Sequence, residues 1–172
     1  ASSILDLDEM LNSSVDLIRE LFDLYYTGIF LVDEPGEWAV LRAATGEPGR
    51  EMLRRGHTLK VGGQSMIGRC VDLGQPRIAL DVGKEATRFD NPLLPETHSE
   101  LALPLVARGQ VIGAMTIQSS RVAAFNDDDI TTFHILADQL ANAIENARLF
   151  SESQAGLEEM QATHRRYLRG HW

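Results

Sequence analysis

From Ile4 onward the apolar residues Leu7, Leu11, Val15, Ile18, Phe22 and Tyr25 follow in steps of three and four, the spacing of one face of an amphipathic helix. The pattern then changes period. Gly28-Ile29-Phe30-Leu31-Val32-Asp33 reads as a buried strand, Glu34-Pro35-Gly36-Glu37 as a tight turn, and Trp38-Ala39-Val40-Leu41-Arg42-Ala43-Ala44 as the hairpin partner. Residues 47–55 are polar enough for a short surface helix or loop, and His57-Thr58-Leu59-Lys60-Val61 alternates as a third strand before the Gly62-Gly63 break.

Residues 65–73 predict a short helix, with Ser65 or Gln64 at its start and Gly74 where a left-handed residue often ends one. Arg77-Ile78-Ala79-Leu80-Asp81-Val82 predicts a fourth strand. Residues 83–97 form a long irregular stretch with Pro92, Pro95 and a helical turn near residues 85–89; loops of this length are usually functional. Two more strands, 100–107 and 110–118, flank Arg108-Gly109, a two-residue hairpin connection. Asn126 followed by Asp127, Asp128 and Asp129 caps a final helix and complements its dipole. Along that helix Ile130, Phe133, Ala137, Leu140, Ile144 and Ala147 recur at coiled-coil spacing. The stripe then re-registers onto Phe150, Leu157, Met160, His164 and Tyr167, with polar breaks at Ser153 and Gln154.

Composition narrows the reading. With 172 residues, 44% hydrophobic and 24% charged, the chain has one domain's worth of core, and no apolar run approaches the length of a membrane span. Its first nine residues lack the basic-then-apolar segment of a secretory signal, and a start at Ala1 leads us to expect a piece of a longer chain. A formal net charge of −9 repels a polyphosphate backbone, so nucleic acid is not an expected partner. The single Cys70 excludes an internal disulfide and a cysteine-based zinc cage, and we expect a reducing, cytoplasmic setting.

In this order, the elements make the chain resemble a GAF domain. The residues that carry the resemblance are Gly28-Ile29-Phe30-Leu31-Val32-Asp33, then Gly68-Arg69-Cys70-Val71 with Gly74-Gln75-Pro76 and Asp81-Val82. Ser99-Glu100-Leu101-Ala102-Leu103-Pro104-Leu105 and Gly109-Gln110-Val111-Ile112-Gly113 follow, and the match closes on Phe125-Asn126-Asp127-Asp128-Asp129 and on 140–149. The resemblance implies an α+β fold, with a central antiparallel sheet of about six strands. Terminal helices would cover one face, and the other would hold a small-molecule pocket under residues 83–97. It divides the chain into an N-terminal helix (1–25), the domain proper (26–150) and a C-terminal signalling helix (151–172).

Such domains are mostly sensory, binding cyclic nucleotides, bilins, haem or metabolites, or serving only to dimerise. Cys70 is followed by Val71 rather than by the His that accompanies a bilin-anchoring Cys, and Arg88-Phe89-Asp90-Asn91 echoes only a fragment of the cyclic-nucleotide signature. The sulfoxide-reducing GAF-like enzymes depend on several cysteines, so the chain is expected to be non-enzymatic. The matched layout places Met66, Ile67, Asp81, Arg88, Phe89, Asn91, His98, Glu100 and Ala102 at the pocket, with no cofactor specified and no metal-ligand spacing. His98 is an axial haem ligand, another ligand-contacting donor, or an exposed loop histidine. Ile130, Phe133, Ala137, Leu140, Ile144, Ala147 and Phe150 are expected to form a dimer seam, with the N- and C-terminal helices of two copies packed as a parallel bundle. The whole reads as a homodimeric module of a bacterial two-component or similar sensor, linked to an output domain such as a histidine kinase. The alternatives are a ligand-free dimerisation spacer and a haem-type gas or redox sensor.

Overall fold

The computed structural model describes residues 3–82 and 91–170. Its elements run α1 (Ser3–Leu21), β1 (Tyr26–Val32), β2 (Trp38–Ala44), α2 (Gly46–Arg54), β3 (Thr58–Lys60), α3 (Met66–Leu73), β4 (Arg77–Ala79), β5 (Ser99–Ala107), β6 (Gln110–Ser119) and α4 (Asp127–Gly170). Six strands form one antiparallel sheet in the order β3-β2-β1-β6-β5-β4. The α+β expectation holds.

Side chains alternate across a strand, so the three central strands divide their residues between two layers. Ile29 and Leu31 of β1, Leu101, Leu103 and Leu105 of β5, and Met115 and Ile117 of β6 face one way. They form a core with Leu7, Leu11, Val15 and Ile18 of α1 and Phe133, Ala137, Leu140 and Ile144 of α4. Tyr26, Phe30, Ala102 and Ala114 face the other way, against Met52 of α2 and Met66, Ile67, Cys70 and Val71 of α3. β5 therefore has the long helix on one face and the short helices on the other.

Local chemistry fixes the ends of these elements. Ser65 caps α3 by accepting the Gly68 amide at 2.9 Å, and Gly74 ends it at φ +65°. Arg108 and Gly109 both take positive φ, as a two-residue turn matched to strand twist requires. The register slips between Ile29 and Phe30, leaving Arg42 as an extra residue in β2, and its guanidinium pairs with Asp8 of α1 at 2.9 Å. Pro104 lies past the end of β4, which pairs only as far as Ala102, so its missing amide costs no ladder bond. At Gly113 a Cβ would lie 2.0 Å from the carbonyl oxygen of Phe30, so β1 and β6 approach closely there.

Residues 46–54 form the helix that was one of the two expected outcomes there. Other expectations change: β4 stops at Ala79 because the chain then bonds irregularly, Val82 N–H to the carbonyl of His98 and Ala123 N–H to that of Leu80. The expected helical turn at 85–89 lies outside the described residues. The main difference concerns the final helix. Phe133, Ala137, Leu140 and Ile144 are buried against the chain's own sheet, with the partly buried Ile130 and Ala147 packed beside them, so these four residues serve the chain's own core. Phe150, expected in the same seam, is instead 62% exposed and belongs to a different face.

Candidate functional site

On the α2–α3 side of the sheet a cavity of about 40 Å³ lies among β1, β5 and β6. Its floor comes from same-face positions: Tyr26 and Phe30 of β1, Thr116 and Gln118 of β6, and Glu100 of β5. In register Tyr26 sits opposite Gln118, and Gln118 sits opposite Glu100, so three polar side chains meet across three strands. Met52, Leu59, Met66, Ile67 and Leu94 supply the apolar roof, and Ser65, His57 and Asn91 complete the rim.

Gln118 organises the polar end. Its Nε2 donates to Glu100 Oε2 at 3.2 Å and to Thr116 Oγ1 at 3.0 Å, while its Oε1 accepts from the Thr97 hydroxyl at 2.7 Å. All four residues are buried. Burial raises the pKa of the Tyr26 phenol, and the Glu100 carboxylate nearby adds to the effect, so Tyr26 remains a neutral hydroxyl. His57 is tilted against Phe30 at a ring separation of 5.9 Å, and burial lowers its pKa. Asn91 accepts the Leu93 amide at 3.0 Å, a local turn that brings Leu94 over the cavity.

The expected pocket residues divide. Met66, Ile67, Asn91 and Glu100 come together at the cavity. Ala102 is fully buried in the same layer, and Asp81 is half-buried at the irregular end of β4; neither lines the cavity. Arg88 and Phe89 lie outside the described residues. His98 is exposed, its Nδ1 3.0 Å from the carbonyl oxygen of Glu96, and it is not in the cavity wall. The layout did not single out Tyr26, Thr116 or Gln118. The signal for two of them was present: Thr116 and Gln118 are polar residues at alternate positions in an apolar strand, with the parity that faces Glu100.

Volume limits the chemistry. A water molecule needs about 10–15 Å³, so a cavity of this size holds about three or four, whereas ligand pockets run to about 300–1,000 Å³. Cys70 is fully buried in α3, and burial pushes its thiol up to about 12, so it is held as an unreactive thiol. Among the described residues no cluster of His, Cys, Asp and Glu is placed to hold a metal ion, and no helix is long and apolar enough to cross a membrane.

The family model described as "GAF domain" matches residues 4–145. The chain belongs to the GAF family. Solved GAF-fold structures share its architecture. The GAF domain of a phosphoenolpyruvate-protein phosphotransferase from Coxiella burnetii is 23% identical, with 85% of this chain and 86% of that one covered and a TM-score of 0.74. A type II free methionine-R-sulfoxide reductase from Thermoplasma acidophilum is 21% identical over 81% of this chain and 96% of that one, with a TM-score of 0.68. A putative GAF sensor protein from Burkholderia vietnamiensis is 22% identical over 85% of each chain, with a TM-score of 0.69. No curated protein matches the chain significantly. At these identities the structural neighbours establish the fold, which regulatory domains and an enzyme share.

Proposed function

We propose that this GAF domain is a non-catalytic sensory module that binds a small polar molecule at the Tyr26–Gln118–Glu100 cavity and relays its occupancy through α4. The observation that carries the reading is the buried polar cluster itself. Burying a carboxyl, a carboxamide and a phenol in one layer costs stability that apolar residues would not, a cost that hydrogen bonds to a bound polar molecule would offset. A carboxyl group beside hydroxyl and amide groups suits a small ligand that exchanges several hydrogen bonds with the cavity floor. To admit it, the roof formed by Met52, Met66, Ile67 and Leu94 must move outward. A ligand pressing on β5 and β6 bears on strands whose other faces carry α4, which supports a relay by population shift.

In this reading the module works in the cytoplasm as a homodimer within a bacterial signalling protein and is joined to an output domain such as a histidine kinase. The non-catalytic reading rests on Cys70, whose lone buried thiol suits neither nucleophilic attack nor a disulfide-forming cycle. A second reading, the ligand-free spacer, is favoured by the small cavity volume. A haem sensor has less support, because His98 lies outside the cavity and a porphyrin exceeds its volume.

Native mass spectrometry of the protein as purified, and again after incubation with a cell metabolite extract, separates the first two. An added mass of a few hundred daltons, lost in Gln118→Leu, supports the sensor. Bare protein in both samples supports the spacer.

A further inference from the structure

Only the first half of α4 rests on the sheet: from Glu152 to Gly170 every residue is exposed except half-buried Ala162. Where the helix leaves the domain it borders a groove of about 700 Å³, inside the range of small-molecule sites. Arg148, Ser151 and Glu152 of α4 line it on one side, and Asp33, Glu34 and Gly36, from the turn after β1, line it too. Leu7 of α1, Val32 of β1 and Ile112 of β6 supply apolar surface, each of them buried or half-buried. Leu7, Ile112 and Ala147 belong to the core layer of α1 and α4, so the groove opens on the helix side of the sheet. It shares no lining residue with the Tyr26–Gln118–Glu100 cavity.

The charges around the groove are of both signs and are not spent on one another. Half-buried Arg148 makes no hydrogen bond or ion pair among the described residues, although Glu152 follows it by one turn of α4 and Asp33 and Glu34 line the same groove. Its guanidinium has lost part of its hydration, and a ligand carboxylate would restore the lost bonds as a parallel pair. The acidic side is built on a fixed turn. Asp33 Oδ1 accepts the amides of Glu37 at 2.9 Å and Trp38 at 3.1 Å, and the Asp33 carbonyl accepts that of Gly36 at 3.0 Å. Neither Asp33 Oδ2 nor the Glu34 carboxylate has such a duty among the described residues.

We propose that this groove is a second ligand site, taking a small dipolar ion with an apolar body, the chemistry of an apolar α-amino acid. The ligand carboxylate pairs with Arg148, its ammonium with Asp33 and Glu34, and its side chain lies on Leu7, Val32 and Ile112. A ligand with a cation alone would leave Arg148 unpaired. One with an anion alone would meet the three carboxylates of Asp33, Glu34 and Glu152 around a single guanidinium. A dipolar ion satisfies both sides, and the apolar surface favours a body larger than that of glycine. Occupancy ties α4 to the turn after β1 at the point where the free half of the helix begins. The site stands whether or not the Tyr26–Gln118–Glu100 cavity binds anything.

Two-dimensional amide NMR on the full chain tests it, with L-leucine as the probe. Saturable shifts are expected at residues 32–36 and 147–152, and they should survive Gln118→Leu, which alters only the cavity. N-acetyl-leucine lacks the cation, leucinamide the anion and glycine the apolar body, so each should bind at least roughly tenfold more weakly. Arg148→Gln and Glu34→Gln, both outside the core, should weaken leucine to the same degree while the rest of the spectrum stays that of the folded parent. No saturable shift at about 10 mM leucine overturns the proposal, as does binding that both variants leave unchanged or that leucinamide or N-acetyl-leucine equals. Shifts confined to the cavity residues and lost in Gln118→Leu also overturn it, and would instead support the cavity as the ligand site.

Discussion

Replacing Gly113 by Ala tests whether the β1–β6 contact sets the geometry of the sheet. The new Cβ would lie 2.0 Å from the carbonyl oxygen of Phe30 and 3.1 Å from Leu31 Cα, where ordinary contact begins near 3.4 Å. Both atoms belong to backbone in the middle of the sheet, so neither can swing aside as a side chain would. β1 must retreat by roughly 1 Å locally, which stretches two or three ladder hydrogen bonds worth about 1 kcal/mol each. With some loss of packing, the expected destabilisation is about 2–4 kcal/mol, a large share of the ~5–15 kcal/mol typical of a domain. For a chain of this length that corresponds to a fall in Tm of about 5–15 °C, read by far-ultraviolet circular dichroism and checked by urea titration. Gly28→Ala is the control, because its nearest neighbour, at 2.8 Å, is the hydroxyl of Tyr26, the far end of a side chain. It should cost clearly less while reshaping the cavity. A Gly113→Ala protein within about 0.5 kcal/mol of the parent would refute the backbone-clash argument.

Two further outcomes follow from burial. Ile144→Ala removes a fully buried side chain and should cost about 2–5 kcal/mol in urea unfolding, whereas Phe150→Ala, measured where the chain is monomeric, should stay within about 0.5 kcal/mol; equal losses would contradict the assignment of the two stripes. His57 has its pKa lowered by burial, so the unfolded chain binds its proton first. Its contribution is present above the unfolded value and is lost as pH falls through the folded one, so His57→Gln should flatten the stability profile just below pH ~6.5. An unchanged profile would mean that the imidazole is better solvated than its contact with Phe30 implies.

The fold was legible because each signal had a local cause. Ser65 and Gly74 delimit α3 through a cap and a left-handed residue, Arg108-Gly109 make the hairpin, and Pro104 falls where the ladder needs no donor. The site was legible only in part, because its residues meet through strand register, which a single strand does not encode. Glu100 was found, but its partners Gln118 and Tyr26 lie on strands paired with it directly or at one remove, 18 and 74 positions away in sequence. The final helix misled for a related reason. Heptad spacing states that a face is apolar without stating what covers it, and both the sheet and a second helix are satisfied by steps of three and four.

A long rod clamped along half its length acts as a lever. The clamped half of α4 lies on strands β5 and β6, one side-chain layer from Glu100, Thr116 and Gln118, while the other half extends about 28 Å past the clamp. A tilt of about 5° at the sheet would carry the tip of such an arm sideways by roughly 2–3 Å, about half the spacing between neighbouring strands. The arrangement therefore multiplies motion with distance, so that any tilt of the clamped half would reach Tyr167 enlarged.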